Sequence, residues 1–538
     1  MSEESGVLII GAGIAGALVA AQLSGAGISV TLIDAGPRIE RSHAIEQLAR
    51  AVFRVPEAPY DDSPHAASPR SMQDTYLRQT GPEPFRSNYL RLVGGTTWNW
   101  LGTALRFLPA DFELHRRYGV GADWPLGYSE LSPWYDHAET EMGVSGHDDA
   151  TDGRHAAHSY PMSGLAPTPS DLLLNSAVAP LGFNVRVSPQ ARNTRSYDGR
   201  PACCLSSSCI PICPIQAKYD GTVHVRKAEA FGARVLADSV AVHIDAGADG
   251  KILGCVVRRP DHSEIYLRAG HFVVAANAIE GPKLLLMSRN SQFPTGIANS
   301  SDAVGRYLMD HPVQLTRALA RNPVWQRRGP QEVSAIHEMR EGQHRGNHGA
   351  FITNVGNQGW NWSGPDLREV ERSLAQTGLL GKALLDAVRD HADREMTLVA
   401  LTEQLPDPAN RITPDFDRLD AIGIPKPAVH FQFDDYTRDA LAAARLLHQT
   451  LFRAIDATEI GHVPHAQGAG HIMGTTRMGS NPKTSVADAL GKSHDHSNLW
   501  FAGSSLFPTS AAANPTLTIA ALALRTAKAI KTEIQGQA

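Results

Sequence analysis

The feature that most constrains this chain is a glycine-rich turn close to its N-terminus. Gly11, Gly13 and Gly16 have GxGxxG spacing directly after the apolar run at 7–10, and a helical segment follows. The first glycine allows a tight turn, the second lets the backbone approach a pyrophosphate, and the third lets helix and strand pack closely. Asp34, at the end of the second predicted strand, is placed to bind ribose hydroxyls. The pattern predicts a Rossmann-type dinucleotide-binding unit.

Composition excludes several other classes of protein. The chain has 538 residues, 42% of them hydrophobic and 20% charged, which is typical of a globular protein of several domains. Its formal net charge of −5 predicts no nucleic-acid partner. The apolar run at 6–21 follows an acidic start, whereas a secretory signal begins with basic residues. No other run reaches the ~18 apolar residues of a membrane span, so we expect neither an export signal nor a span.

The dinucleotide-binding pattern appears at both ends of the chain, which predicts a discontinuous first domain. We assign residues 1–165, 221–310 and 464–538 to it, with a cysteine-rich loop at 191–220 and a second domain at 311–463. Loops are predicted through 150–220. Further elements are expected as strands at 28–34, 235–244, 252–258, 264–267, 271–276 and 499–502, and as helices at 279–288, 380–391, 435–455 and from Pro515. The predicted fold class is α/β, a Rossmann-type domain plus an α+β substrate-binding domain with an antiparallel sheet.

Three separated motifs are similar to the glucose–methanol–choline (GMC) oxidoreductase family. They are GGTTWNW at 94–100, GHIMGTTRMG at 470–479 and NLWFAGSSLFPTSAAANPTLTIAALALR at 498–525, so the resemblance runs nearly end to end. The resemblance implies that the dinucleotide is FAD, with its flavin ring between the two domains. Besides the glycine turn and Asp34, it assigns cofactor contacts to Gly94, Gly95, Thr96, Ala241, Gly503, Pro515, Thr516 and Leu517.

The same resemblance places His471 and Asn514 opposite flavin N5. Oxidation of an alcohol requires removal of the hydroxyl proton, and a neutral imidazole is a suitable acceptor. Asn514 would hold the substrate oxygen. The alternatives are that His471 is a loop histidine bonded to backbone, and that Asn514, which precedes Pro515, caps the last helix.

Asn99 stands where some related sugar oxidases carry a histidine bonded covalently to the flavin. An asparagine cannot form that link, so the resemblance implies non-covalent FAD. We expect Trp98, its neighbour, to be a core residue.

Four of the five cysteines, Cys203, Cys204, Cys209 and Cys213, fall within eleven residues, and Cys255 is expected to be buried on a strand. Bunched thiolates in a loop ending in Cys-Pro favour an iron–sulfur cluster. Structural zinc sites usually show two CxxC-like pairs, which are absent here. Adjacent cysteines also form disulfides poorly.

Residues 191–221 are similar to the catalytic subunits of bacterial FAD-dependent glucose, fructose and sorbitol dehydrogenases. This implies a [3Fe-4S] cluster held by Cys203, Cys209 and Cys213, with Cys204 adjacent and non-ligating. A two-electron flavin would then feed a one-electron acceptor. The implied partners are a cytochrome c subunit, since this chain has no CxxCH, and a small subunit with a twin-arginine signal. They imply a periplasmic or inner-membrane-associated enzyme, or a cytoplasmic one if no partner exists.

The expected substrate is a sugar, polyol or aldonate. Gly470 stands where the glucose and fructose enzymes carry asparagine, and the motif at 470–479 also resembles gluconate 2-dehydrogenases and glucoside 3-dehydrogenases. An oxygen-using sugar oxidase, a lyase-type flavoprotein and a non-catalytic subunit are the other hypotheses. Glu403 is interpreted either as a sugar contact or as an ion pair with an arginine such as Arg411. We expect Asp310 and His311, at the crossing between domains, to be supporting residues.

Overall fold

The computed structural model describes residues 4–52, 57–61, 63–69, 76–148, 159–326, 329–357 and 367–536. Strands β1 to β19 run in chain order over Glu4–Ile10, Val30–Ile33, Arg78–Gln79, Ser145–Gly146, Met162–Ser163, Val185–Val187, Arg234–Leu236, Val240–Ala246, Ile252–Arg258, Glu264–Val274, Pro312–Leu319, Glu332–Ile336, Phe351–Gly356, Glu395–Thr402, Arg411–Leu419, Pro425–His430, Thr458–His462, Gln467–Gly468 and Leu499–Phe501. Helices α1 to α11 are Ile14–Gly25, Arg41–Arg50, Leu114–Tyr118, Tyr128–Met142, Pro169–Val178, Thr222–Ala230, Glu280–Met287, Leu367–Gln376, Gly381–Arg394, Asp435–Ala454 and Thr516–Gly536.

The first sheet contains the glycine-rich turn. Strands β7, β2, β1, β10 and β19 pair in parallel, and the first part of β10 also pairs antiparallel with β9, which pairs with β8. Val7, Leu8 and Ile9 of β1 are completely buried. A continuous apolar run is what a parallel strand covered on both faces requires. Helix α1 packs against α6 and α11, so the N-terminal and C-terminal segments form one layer.

The second sheet is antiparallel, in the order β17-β11-β14-β13-β12-β6, with β18 also pairing with β11. Helix α10 packs on one face of it, against β11 and β14, and α5 packs against α10. The opposite face turns towards the first sheet and lines a large cavity. Strands β6 and β18 lie outside the predicted range 311–463, yet they complete this sheet.

The predicted fold class is confirmed, and the helices predicted at 279–288, 380–391 and 435–455 lie within a few residues of α7, α9 and α10. The prediction of loops alone at 150–220 is wrong in its described part, which contains α5 and β6. The single strand predicted at 235–244 is two strands, because the chain turns at Asp238 (φ +48°). Conversely, the strands predicted at 264–267 and 271–276 are one, β10. Among the described helices, none is both long and apolar enough to cross a bilayer.

Candidate active site

A cavity of about 1080 Å³ separates the two sheets. One end is lined by the glycine-rich turn and Asp34, the middle by residues 95–97 and 502–505, and the far end by His471, Asn514 and the second sheet. Sites for one small molecule usually occupy about 300–1,000 Å³. The cavity therefore lies at the upper limit of that range, as a ligand of dinucleotide size requires.

Backbone atoms close to the turn explain why glycine is required at Gly11 and Gly16. Gly11 has φ +106°, and a Cβ there would lie 2.5 Å from the carbonyl oxygen of Ala275. A Cβ on Gly16 would lie 1.9 Å from the oxygen of Gly11, so this glycine allows helix α1 to pack against the turn. Gly13 has nothing within 4 Å of its Cβ position and lines the cavity. The opening at Gly13 leaves the backbone accessible to a phosphate group.

Asp34 holds the turn from the end of β2. Its Oδ2 accepts the Ala12 N–H at 2.8 Å and its Oδ1 accepts the Gly36 N–H at 2.9 Å. Burial raises the pKa of this carboxyl group, while the two backbone bonds lower it. Asp34 also lines the cavity, so the residue that orders the turn borders the space in which a ribose is predicted.

Most of the predicted cofactor and catalytic residues line the cavity: Gly11, Gly13, Asp34, Gly95, Thr96, Ala241, His471, Gly503, Asn514, Pro515 and Thr516. Gly16, Gly94 and Leu517 lie behind its surface. Gly94 donates its N–H to the Ala12 oxygen at 2.9 Å and so joins the second glycine segment to the turn. Leu517 is completely buried in the core.

His471 belongs to a compact polar group at the far end of the cavity. Its backbone N–H donates to Asp310 Oδ1 at 2.8 Å, and its ring Nδ1 lies 2.8 Å from Nδ1 of His311. Asp310 Oδ2 accepts a hydrogen bond from the Ser87 hydroxyl. Burial lowers the pKa of His471 well below its usual value. The ring is therefore neutral at pH 7, and it bonds to another imidazole rather than to backbone.

Asn514 lies beside the N-terminus of helix α11. The helix begins at Thr516, and the Ile519 N–H donates to the Pro515 oxygen at 2.9 Å. The buried Asn514 Oδ1 has no hydrogen-bond partner among the described residues, so this oxygen does not cap the helix, which was the alternative interpretation from the sequence. A buried amide oxygen that lacks a partner and lines a cavity is suited to a ligand.

The second sheet forms a wall that the sequence analysis missed. Asn354 on β13 pairs in register with Val399 on β14, and Val399 pairs with Leu315 on β11. All three residues line the cavity, as does Glu332 of β12. Asn354 is 2% exposed, and its Nδ2 has no partner in the described part of the chain. The available signal was one amide residue inside FITNVG, a strand that is otherwise apolar or small and completely buried.

Glu403 does not line this cavity. It is completely buried, and its Oε1 accepts a bond from Arg345 Nη2 at 2.6 Å while Tyr436 donates to Oε2 at 3.0 Å. Its interpretation as a sugar contact is therefore wrong. An ion pair was correctly predicted, but its partner is Arg345 and not Arg411.

The cysteine loop encloses a separate small void. It is lined by Cys203, Cys204, Cys209 and Cys213 together with two cations, Arg192 and Lys218. Arg192 is 1% exposed, and its Nε and Nη1 have no partner among the described residues. Burial lowers the pKa of Lys218 to about 8, and nearby Cys209 and Cys213 oppose that shift. Thiols with buried cations and unused donors fit an anionic, thiolate-ligated group.

The void and the cavity share a wall. Cys209 lines the void, and the next residue, Ile210, lines the cavity. Lys218 Nζ braces this wall, since it donates to the carbonyl oxygens of Cys209 (2.8 Å), Trp98 (3.2 Å) and Trp100.

Three further residues bear on predictions made from the sequence. Trp98 is buried, as expected. Asn99 lines the cavity, and its Oδ1 is buried without a partner in the described residues. Cys255 is completely buried, and burial raises the pKa of its thiol to about 12.

Comparisons with known proteins agree with this geometry. Residues 6–144 match a model described as FAD dependent oxidoreductase, while 90–313 and 406–523 match the two models described as GMC oxidoreductase. The fold and the dinucleotide cavity define an FAD-dependent oxidoreductase. The chain belongs to the GMC oxidoreductase family, consistent with a dehydrogenase that acts on CH–OH donors.

Two relatives and one solved structure illustrate the range of similarity. The chain is 38% identical to the fructose dehydrogenase large subunit of Gluconobacter japonicus, with 98% of each chain covered. It is 29% identical to the paromamine 6′-oxidase of Streptomyces fradiae, over 97% of this chain and 91% of that one. A formate oxidase structure aligns with a TM-score of 0.69 at 16% identity, with both chains fully covered, which shows the shared fold alone.

Proposed function

We propose that this protein is the catalytic subunit of an FAD-dependent dehydrogenase that oxidises a hydroxyl group of a sugar, polyol or sugar acid. The electrons leave one at a time through a [3Fe-4S] cluster to a cytochrome c partner. The observation that carries the proposal is the shared wall, in which Ile210 faces the cavity and Cys209 faces the thiol-lined void.

The chain's own residues supply binding and proton transfer. Gly13 and Gly95 would bind the phosphates of FAD, and Asp34 would hold its ribose. Bound flavin supplies a hydride acceptor. His471 accepts the substrate's hydroxyl proton, and Asn514 holds the substrate oxygen. Asn99 offers no group for a covalent link, so the cofactor is dissociable.

The second sheet supplies the substrate's surroundings. The unpaired amide of Asn354 and the carboxylate of Glu332 face the cavity among apolar neighbours. A hydroxyl-rich substrate would give the Asn354 Nδ2 a partner, since a buried donor without a partner is costly. Gly470 leaves the position before the base without a side chain. That difference from the glucose and fructose enzymes is the reason to expect a different sugar preference.

Electron exit is assigned to the cysteine loop. Cys203, Cys209 and Cys213 hold the cluster, and Arg192 and Lys218 balance part of its negative charge. Leu205 and Ile215, apolar residues of the same loop, are 57% and 37% exposed. We infer that a haem subunit docks over this loop, where these exposed apolar side chains would be covered.

Partners and location follow from the same assignment. We infer a small subunit with a twin-arginine signal that carries the folded chain to the periplasm, and a cytochrome c subunit that receives the electrons. Co-expression of the three subunits followed by cell fractionation tests this. Retention of all activity in the cytoplasm would contradict the location.

The substrate and acceptor are tested with purified protein on a panel of sugars, polyols and aldonates. We expect turnover with an artificial dye, little peroxide in air, and iron together with acid-labile sulfide in anaerobically prepared protein. Turnover that yields stoichiometric peroxide from protein without iron would contradict the proposal. It would instead support an oxygen-using sugar oxidase, the second candidate, which the similarity to a paromamine 6′-oxidase favours.

A further inference from the structure

We propose that His311 is a positioning residue that fixes the tautomer of His471, so that the unprotonated Nε2 of His471 faces the substrate. The inference rests on the proposed function, in which His471 is the base. It concerns one pair of ring nitrogens, the two Nδ1 atoms, which lie 2.8 Å apart.

Two carbonyl oxygens fix the protonation of His311 on the side of the ring away from His471. This ring is completely buried, and its Nε2 lies 3.1 Å from the Ser510 oxygen and 3.0 Å from the Ala511 oxygen. Carbonyl oxygens only accept hydrogen bonds, so Nε2 must carry the proton. Burial lowers the pKa of His311 to about 4, so the ring is neutral. A neutral imidazole has one N–H, which leaves Nδ1 of His311 as an acceptor.

His471 must then donate. Its Nδ1 faces an acceptor at hydrogen-bonding distance, so Nδ1 carries the single proton of the neutral ring. The Nε2 of His471 is therefore unprotonated. His471 lines the cavity, where that lone pair can take a hydroxyl proton. Without His311, the proton could occupy either ring nitrogen of His471, and the tautomer protonated on Nε2 cannot act as a base.

Asp310 fixes the backbone positions of the two histidines relative to each other. Its Oδ1 accepts the backbone N–H groups of both His311 and His471, each at 2.8 Å. Its own N–H donates to Gln404 Oε1 at 3.0 Å. Both histidines are thus bonded to one carboxylate just before strand β11, and this fixes the distance between their rings.

The proton balance is simple. The substrate O–H bond breaks and an Nε2–H bond forms on His471, while its Nδ1–H stays bonded to His311. The neutral Nδ1 of His311 then accepts from an imidazolium, and a charge-assisted hydrogen bond is stronger than a neutral one. His311 therefore favours both the competent tautomer before transfer and the charged ring after it.

Two substitutions separate the roles of the two nitrogens of His311. In His311→Asn the amide oxygen occupies the place of Nδ1 and can accept from His471. In His311→Gln the amide nitrogen occupies the place of Nε2 and can donate to the Ser510 and Ala511 oxygens, but no acceptor faces His471. The measurement is the anaerobic rate of flavin reduction by substrate, with FAD content and thermal midpoint as checks on folding.

We expect His311→Gln to slow flavin reduction about 10-fold or more with little change in apparent substrate affinity, and His311→Asn to recover most of the rate. Nitrogen-15 NMR of histidine-labelled wild-type protein gives a readout that needs no variant. It should show a pyridine-type Nε2 and a protonated Nδ1 for His471.

A protonated Nε2 on His471 in the wild-type spectrum would overturn the proposal. So would a wild-type rate in His311→Gln, or equal rates in the two variants. His471→Ala distinguishes the two levels of inference. If that variant reduces flavin normally, the base assignment itself fails. If it is inactive while His311→Gln is unaffected, only the positioning role fails.

Discussion

The polar group around His471 and the cysteine void differ in how far the chain completes their hydrogen bonding. Around His471, the side chains of Ser87, Asp310 and His311 all have partners. In the void, two nitrogens of the buried Arg192 have none among the described residues. The polypeptide itself therefore orders the proposed base, whereas the cysteine void, our proposed electron-exit site, leaves buried donors for a bound group. The predictions below test that difference.

The largest effect is expected at the proton-transfer site. His471→Ala removes the base and should slow flavin reduction by roughly 10²–10⁴. FAD should remain bound, because His471 lies at the opposite end of the cavity from the glycine-rich turn. Anaerobic stopped-flow absorbance measures the rate, and the flavin spectrum reports binding. Rapid bleaching of the flavin by substrate in this variant would show that His471 is not the base.

The second-largest effect is expected from a substitution in the cysteine void. Cys209→Ser should leave flavin reduction by substrate close to the wild-type rate but abolish most transfer to cytochrome c, because one cluster ligand is lost. Cys255→Ala is the matched control, since Cys255 is buried on β9, away from the loop. Normal cytochrome reduction by Cys209→Ser would show that electrons leave by another route.

A smaller effect is expected on the substrate wall. Asn354→Leu removes the unpaired amide and should raise KM about 10-fold with little change in kcat, the loss of one hydrogen bond of ~1.4 kcal/mol. Thr353→Val is a control on the opposite face of β13, where the Thr353 hydroxyl lies 3.3 Å from His448 Nε2. Equal KM values for Asn354→Leu and the wild type would place the substrate elsewhere in the cavity.

The smallest effect is a pH dependence. Burial lowers the pKa of His471, so the competent neutral ring persists below the usual histidine value of about 6.5. The rate of flavin reduction should therefore change less than about twofold between pH 7.5 and 6.5. The acid limb of its pH profile should lie below pH 6.5. Stopped-flow rates across that range provide the check. An acid limb centred at or above pH 6.5 would contradict the buried, neutral base.

The sequence predicted the cofactor end of the cavity better than the substrate end, for a physical reason. The glycine turn and Asp34 lie within one strand–helix–strand unit, so their spacing alone specifies the geometry. Asn354 reaches the cavity only through the register of three antiparallel strands, which no local pattern records. Glu403 and Arg345 likewise pair across 58 residues, so the choice of Arg345 over Arg411 required the fold.

The cysteine loop could be identified from the sequence because its four cysteines lie close together in the chain. The buried cations beside these cysteines could not be identified in that way. Arg192 and Lys218 lie on either side of the four cysteines in the sequence, where nothing distinguishes them from ordinary charged residues. Only the fold buries them against the thiols.

The central claim is most directly tested by anaerobic mixing of the isolated enzyme with a good substrate, followed by flavin absorbance and by EPR of freeze-quenched samples. We expect flavin to bleach first and the EPR signal of an oxidised iron–sulfur cluster then to decrease as electrons reach the cluster. Flavin that bleaches in protein with no iron-dependent signal, or a cluster signal that never responds to substrate, would contradict it.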